Sequence, residues 1–352
     1  MFINPLHNFL RANKLVMFTG LVVILLVACN RASSPAVSPT KDIEPASPTA
    51  DTSSTDTEIP PAIETPPASE PPVGVVLLPG DSSRSMIFEG IERSYIIHIP
   101  KGFNNSRAVP LVLVFHGLNL DGNEMIRITG FNAQSDTSGF IVVYPDGIGD
   151  KRSWNGGHCC GEAALRNVDD VGFVRALIEE LSSLVNIDVK RVYATGFSNG
   201  AFMVYRLACE LSDQIAAFGP VSATQAAEDL HACQPGRPVP ILHFHGTDDD
   251  ANPYKGGVAA SGFHFTSVVD AIKFWVEKDG CPTKPEQTRS GSILHDIYAP
   301  CESGAVVELY TIEGGKHAWP GGEAVSARMG EPTMEISTTP IMWEFFLSHP
   351  LP

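Results

Sequence analysis

Gly196, Phe197, Ser198, Asn199 and Gly200 carry the strongest chemical signal in the chain. The serine sits between two glycines, after an apolar run ending at Thr195 and before a helical stretch from Ala201 to Cys209. That context fits a tight strand-to-helix turn, which lifts a hydroxyl out of the fold as a nucleophile and leaves no room for flanking side chains. Serine attacks a carbonyl only when a histidine takes its proton, and the histidine needs a carboxylate to fix its tautomer and balance its charge. On such a turn the chain order is Ser, then Asp or Glu, then His. Asp248, Asp249 and Asp250 follow the apolar run Val239 to Phe244, and His317 lies in the Gly-flanked loop Gly314 to Trp319. Spacing leaves the three aspartates equivalent as orienting groups, and they lack the ligand spacing of an EF-hand calcium loop.

His317 is the expected base among the histidines beyond Ser198. His243 and His245 fall in or at the end of a strand, His264 is beside a helix start, and His349 is near the terminus. His231 and His295 are read as lacking an adjacent strand end. The tetrahedral oxyanion of acyl transfer needs two backbone donors. Asn199 N–H, at a helix start, is one. Leu118 N–H is the other, from the loop His116-Gly117-Leu118-Asn119 after Leu111 to Phe115, with the His116 side chain read as structural.

These residues must be held by strands and helices in alternation. Leu111 to Phe115, Phe140 to Tyr144, Arg191 to Thr195, Ala216 to Val221, Val239 to Phe244 and Val306 to Ile312 are short apolar runs, as in strands buried on both faces. Val171, Val174, Leu177, Ile178, Leu181 and Leu184 share one helix face, capped by Asp169 or Asp170. Further helices are expected over Thr266 to Asp279 and from Thr339 to Leu347. Glu89 and Gly90 join Arg84 to Phe88 and Ser94 to Ile99 as an N-terminal antiparallel hairpin. The pattern predicts an α/β fold: a mainly parallel central sheet with helices on both faces.

The first 28 residues read as a lipoprotein signal peptide. Arg11 and Lys14 precede the apolar stretch Leu15 to Ala28, too short at about 21 Å to span a bilayer. Leu26-Val27-Ala28-Cys29 resembles the bacterial lipobox, which implies cleavage before Cys29 and lipidation of its thiol. An ordinary secretory signal is the other reading. Residues 29–72 are expected to be a disordered tether; from Asn30 to Pro72 they hold ten Pro, thirteen Ser or Thr, no aromatic, two basic and seven acidic residues. Residues 73–352 then form a single domain.

Six cysteines follow Cys29, as suits an exported domain. Cys209 with Cys233 and Cys281 with Cys301 are the expected disulfides, each closing a loop of about twenty residues. Cys159 and Cys160 remain as a vicinal disulfide or as free thiols. No Cys or His spacing suggests zinc, so no metal is expected. The net charge of -16 is the wrong sign for neutralising phosphates, which argues against nucleic acid as a partner.

Together these stretches resemble the polyhydroxybutyrate depolymerase and feruloyl esterase group of α/β hydrolases, related to carbohydrate esterase family 1. The resemblance covers nearly all of residues 83 to 348. Its matching segments are Phe115-His116-Gly117, Tyr144 to Gly147, Ser153-Trp154-Asn155 with Cys159 and Cys160, Val168 to Val171, Thr195 to Gly200, His245-Gly246-Thr247 with Asp249, and Gly315, His317, Trp319 and Pro320. It implies Ser198, Asp249 and His317 as the triad and selects Asp249 over its neighbours. It also implies that Trp154, Asn155 and Trp319 line the substrate pocket, with core packing as their other reading. Leu118, Asn119, Lys316 and Asn252 depart from the family's usual residues.

The resemblance implies a serine carboxylic ester hydrolase with no cofactor, and the lipobox-like signal at Cys29 implies export and a lipid anchor that holds it at the cell surface or outer face of a membrane. Its substrate would be a hydroxyalkanoate oligomer, a feruloylated or acetylated polysaccharide, or a small ester. The chain ends soon after Trp319, where secreted depolymerases append a polymer-binding domain, which is read as weighing against insoluble polyester. A non-catalytic surface binding module on the same fold is the alternative.

Overall fold

A computed structural model describes residues 77–258 and 263–352, which fall within one compact unit, Ser69–Pro352. The expected signal peptide, Cys29 and the 29–72 tether lie outside the described residues. In chain order the strands are β1 (Gly80–Phe88), β2 (Ile91–Ile99), β3 (Val109–Phe115), β4 (Ile141–Pro145), β5 (Ile187–Phe197), β6 (Ala217–Val221), β7 (Ile241–Gly246), β8 (Gly257–Val258), β9 (His264–Phe265), β10 (Glu286–Ser290), β11 (Ile293–Tyr298) and β12 (Val307–Ile312). The helices are α1 (Gly122–Thr129), α2 (Phe131–Ser138), α3 (Glu162–Leu165), α4 (Asp170–Leu184), α5 (Asn199–Glu210), α6 (Ala227–Ala232), α7 (Val268–Lys278) and α8 (Thr338–Ser348).

Ten strands form one sheet in the order β1-β2-β4-β3-β5-β6-β7-β12-β11-β10. From β4 through β12 neighbouring strands are parallel, and the N-terminal hairpin joins through an antiparallel β2–β4 pair. Alternate residues of β3 enter opposite cores: Leu111, Leu113 and Phe115 pack beneath α4, α5 and α7, while Val112 and Val114 pack with α1, α2 and α8. A strand buried on both faces has no polar side to show, hence its unbroken apolar run. The sheet is therefore the expected α/β-hydrolase arrangement.

The order places β4 on one side of β3 and β5 on the other. Where a parallel sheet reverses its winding, a crevice opens at the carboxyl ends of the two strands concerned. Here those strands deliver the His116 loop and Ser198.

Several expectations need correction. A second antiparallel hairpin, β10–β11, closes the far edge of the sheet and was not anticipated. It contains His295, so that residue does belong to a strand, where it faces Glu308 at 2.7 Å. Of the two candidate caps, Asp169 takes the role, accepting from Gly172 N–H at 2.8 Å. Asp170 instead forms a fully buried ion pair with Arg93 at 2.7 Å. All three disulfides are present: Cys209–Cys233, Cys281–Cys301 and the vicinal Cys159–Cys160. No helix among the described residues is long and apolar enough to cross a membrane.

Candidate active site

Ser198 follows the last residue of β5 and caps the start of α5 with φ 55° and ψ -118°. A non-glycine residue is forced into that region only where its surroundings over-determine it. Two contacts do so. Ser198 N–H donates to Val221 O at 3.0 Å, and α5 lies so close to β3 that a Cβ on Gly200 would overlap the Phe115 carbonyl oxygen. The Ser198 backbone is thereby fixed at the carboxyl end of β5.

Asp249 and His317 come from the loops after β7 and β12, and those loops are tied together. Asp248 N–H donates to Gly315 O at 2.9 Å, Thr247 N–H donates to Ile312 O at 2.9 Å, and Gly314 N–H donates to Thr247 Oγ1 at 2.8 Å. His317 Nδ1 lies 2.8 Å from Asp249 Oδ2, and both side chains are buried. Asp249 Oδ1 accepts from the Ala251 and Asn252 N–H groups at 2.9 and 2.8 Å. The three aspartates thus differ sharply in place. The Asp248 and Asp250 side chains are 57% and 93% exposed and sit near Lys316, whereas only Asp249 reaches the histidine. The imidazole packs on Phe197, the residue before Ser198, with ring centroids 4.7 Å apart.

The His116 loop faces Ser198 from the other side; a Cβ on Gly117 would stand 3.3 Å from that of Ser198. Its orientation follows from hydrogen bonding. Gly147 N–H donates to His116 Nε2 at 2.8 Å, so that nitrogen is bare and Nδ1–H donates to Gly117 O at 2.7 Å. Burial lowers the His116 pKa to about 4, keeping the ring neutral. Leu120 N–H donates to the same Gly117 oxygen at 3.1 Å. In a trans peptide the N–H points opposite to the C=O, so holding Gly117 O turns Leu118 N–H the other way. Among the described residues neither Leu118 N–H nor Asn199 N–H has a protein acceptor.

The Asn199 side chain supports this arrangement. Its Oδ1 accepts from Trp154 N–H at 2.7 Å and its Nδ2 donates to Trp154 O at 3.2 Å. Nδ2 also touches Cys160 Sγ at 3.6 Å. Trp154 Nε1–H in turn donates to His116 O at 3.1 Å, so one tryptophan joins the two loops. The pocket role expected of the two tryptophans is corrected here: Trp154 and Trp319 are both 0% exposed. Trp319 packs edge-on against Phe131 and donates to Thr339 Oγ1 at 3.1 Å. Asn155 is buried too, its amide donating to Val168 O at 2.8 Å, but it borders a cleft of about 1350 Å³. Cys160, Arg206, Gln225, Asp229 and Phe263 also line that cleft. The cleft does not open on Ser198 itself. It begins at the vicinal disulfide, one contact away through Asn199.

Asn252, a departure from the family's usual residue, is a clamp: its Nδ2 donates to Ser222 O at 2.7 Å and its carbonyl lies 2.8 Å from His245 Nε2. The sequence reading set His243 and His245 aside as strand residues, yet both connect to this site. Their spacing of two within a strand, which sends both rings to one side, was the available signal.

Residues 93–235 match the family model described as Esterase PHB depolymerase. Over 234 residues the chain is 35% identical to feruloyl esterase B of Piromyces equi, covering 64% of this chain and 42% of that protein. It is 28% identical over 286 residues to the putative esterase NocK of Nocardia uniformis subsp. tsuyamanensis, covering 76% and 82%. An acetyl xylan esterase structure from Aspergillus awamori superposes with a TM-score of 0.55 at 14% identity, covering 76% of this chain and 99% of that one, a likeness of fold. The family match runs from β2 to α6, and the chain as a whole is similar to carboxylic ester hydrolases of the polyhydroxybutyrate depolymerase and feruloyl esterase group, on an α/β-hydrolase fold.

Proposed function

We propose that this protein is an exported serine esterase that cleaves carboxylic esters through an acyl-enzyme. The observation that carries this reading is the hydrogen-bonded Asp249–His317 pair, whose imidazole packs on Phe197, the residue before a serine in a forced strand-to-helix turn. Ser198 Oγ attacks the ester carbonyl while His317 takes its proton. The Leu118 and Asn199 N–H groups receive the oxyanion. As the intermediate collapses, the C–O bond to the alcohol breaks and His317 returns the proton to the leaving oxygen. Water, activated by the same histidine, then hydrolyses the acyl-enzyme. Asp249 orients His317 and balances its transient charge.

A feruloyl or acetyl ester carried on a polysaccharide is the substrate class favoured by the relatives, with hydroxyalkanoate oligomers and small esters as the other candidates. The cleft beyond Cys160 has room for the alcohol portion of such a substrate. Three disulfides suit an oxidising compartment outside the cytoplasm. Residues 1–28 as signal peptide, Cys29 as lipid attachment, 29–72 as tether and 73–352 as the esterase domain complete the reading.

The full chain should hydrolyse a short-chain p-nitrophenyl ester, and Ser198→Ala should lower kcat by about 10⁴-fold or more. Wild-type turnover in that variant would remove Ser198 from the mechanism. Hydroxybutyrate oligomers, methyl ferulate and acetylated xylan, assayed side by side, identify the acyl group. Cys29→Ser should move the protein out of the membrane fraction, and unchanged fractionation would rule out the anchor.

A further inference from the structure

Behind Asp249 lies a row of buried polar groups that the acyl-transfer steps do not use. Tyr205 on α5 and His243 and His245 on β7 are 0%, 0% and 1% exposed. The Tyr205 hydroxyl is 2.8 Å from His243 Nδ1, and His243 Nε2 is 3.0 Å from His245 Nδ1. His245 Nε2 is 2.8 Å from the Asn252 carbonyl oxygen and 3.5 Å from Asp249 Oδ2. The Asp249 oxygen at the end of this row is the one bonded to His317.

The polarity of the row follows from its last link. A carbonyl oxygen can only accept, so His245 Nε2 carries the hydrogen. Burial holds both histidines neutral, each pushed below its ordinary pKa. His245 Nδ1 is therefore bare and accepts from His243 Nε2–H. His243 Nδ1 is then bare as well and accepts the Tyr205 O–H. Each donor points toward the Asn252 carbonyl, and such aligned bonds strengthen one another.

We propose that Tyr205, His243 and His245 form a one-way hydrogen-bond chain that ends on the Asn252 carbonyl, clamping the loop that carries Asp249 and so holding its carboxylate in place opposite His317. The three are positioning residues for the catalytic base. The kinetic consequence rests on the esterase reading above, whereas the direction of the chain does not. The ionisable groups facing the chain are Asp249 and His317, from the loops after β7 and β12, and Tyr254, whose ring meets His245 edge-on at 5.8 Å. Trp275 of α7 covers Tyr205, with ring centroids 6.0 Å apart. A proton added to His245 Nδ1 would reverse its link to His243 and set a positive charge beside Asp249, in competition with His317.

Two measurements test this. In ¹⁵N spectra of the full chain labelled at histidine, near neutral pH, His243 and His245 should both be neutral Nε2–H tautomers. An Nδ1–H tautomer or a charged ring at either position overturns the chain, with no reference to activity. In ester hydrolysis, Tyr205→Phe removes the hydroxyl and keeps the ring. It should lower kcat about 3- to 10-fold, the effect of one buried hydrogen bond, with KM unchanged. The acid limb of kcat/KM should move to higher pH, because no hydroxyl then competes with a proton for His243 Nδ1. A folded Tyr205→Phe enzyme with wild-type kcat and pH profile overturns the positioning role. Should that variant fail to fold, the wild-type tautomers still decide the chain. Should Ser198→Ala stay active, the esterase mechanism falls while the tautomer result stands.

Discussion

Ser198 keeps a backbone conformation that L-residues resist, and it does so because the chain on either side has nowhere else to go. Gly200 is the tightest point. Gly200→Ala would drive a methyl into the Phe115 carbonyl, and overpacking of this kind costs about 1–3 kcal/mol. Its melting temperature should fall by several degrees and its ester turnover by more than about tenfold, since the turn that aims the hydroxyl must shift. A melt and turnover equal to wild type would mean that the turn has slack. At this scale the turn at Ser198 and the loop histidine His317 were legible in the sequence, because a serine nucleophile and its base would need those residue types at strand ends. Asp249 was separable from its neighbours only by family resemblance until its contact with His317 was seen. Trp154 and Trp319 were not legible, since an aromatic beside a catalytic loop has the same sequence signature whether it faces ligand or core. Only the contacts of Trp154 with Asn199 and His116 reveal that it braces the His116 loop against the start of α5.

At the level of elements, the segment Ser153-Trp154-Asn155 is held from beneath by the first turn of α4. Asp170 accepts from Asn155 N–H at 2.7 Å while paired with Arg93 of β2 at 2.7 Å. Burial pushes the Arg93 guanidinium down and the Asp170 carboxyl up in pKa, and the charge of each opposes the shift of the other. Arg93→Leu leaves the carboxylate buried without its partner, at a cost of about 3–5 kcal/mol. Urea denaturation should register that loss, and Arg93→Leu combined with Asp170→Asn should recover part of it. If the single variant unfolded at the wild-type urea concentration, the ion pair would have no anchoring role. Pattern reading located the parallel strands because their apolar runs are unmistakable. It missed β10, where Glu286-Gln287-Thr288-Arg289-Ser290 has no apolar face at all and all five residues are exposed. It also missed α1, whose capping box of Asp121 and Glu124 was present but precedes only eight helical residues.

Across the whole molecule, pH acts through histidines buried in neutral form. His116 titrates at about 4 when folded, against about 6.5 when the chain is unfolded, so the unfolded state binds the extra proton between those values. Its contribution is complete above pH 6.5 and is lost as the pH falls toward 4, a difference of about 3 kcal/mol. His243 and His245 act in the same direction. Asp279 opposes them: burial raises its carboxyl to about 7, so its contribution is present at low pH and is lost as the pH rises toward 7. The unfolding free energy should therefore climb from pH 4 to 6.5, and Asp279→Asn should steepen that climb. Urea titrations at several pH values measure both slopes, and an Asp279→Asn profile no steeper than wild type would mean that Asp279 is not held protonated by burial.

The sheet that carries this site ends on both sides in strands rich in polar residues. β1 begins Gly80-Asp81-Ser82-Ser83-Arg84, and β10 sets Glu286 and Arg289 on the opposite rim. An unpaired strand edge is a template for joining another chain, and charged, solvated edges make that pairing costly. Ten strands with two such rims can be displayed at high local concentration, as on a crowded surface, without the sheets of neighbouring molecules growing into one another.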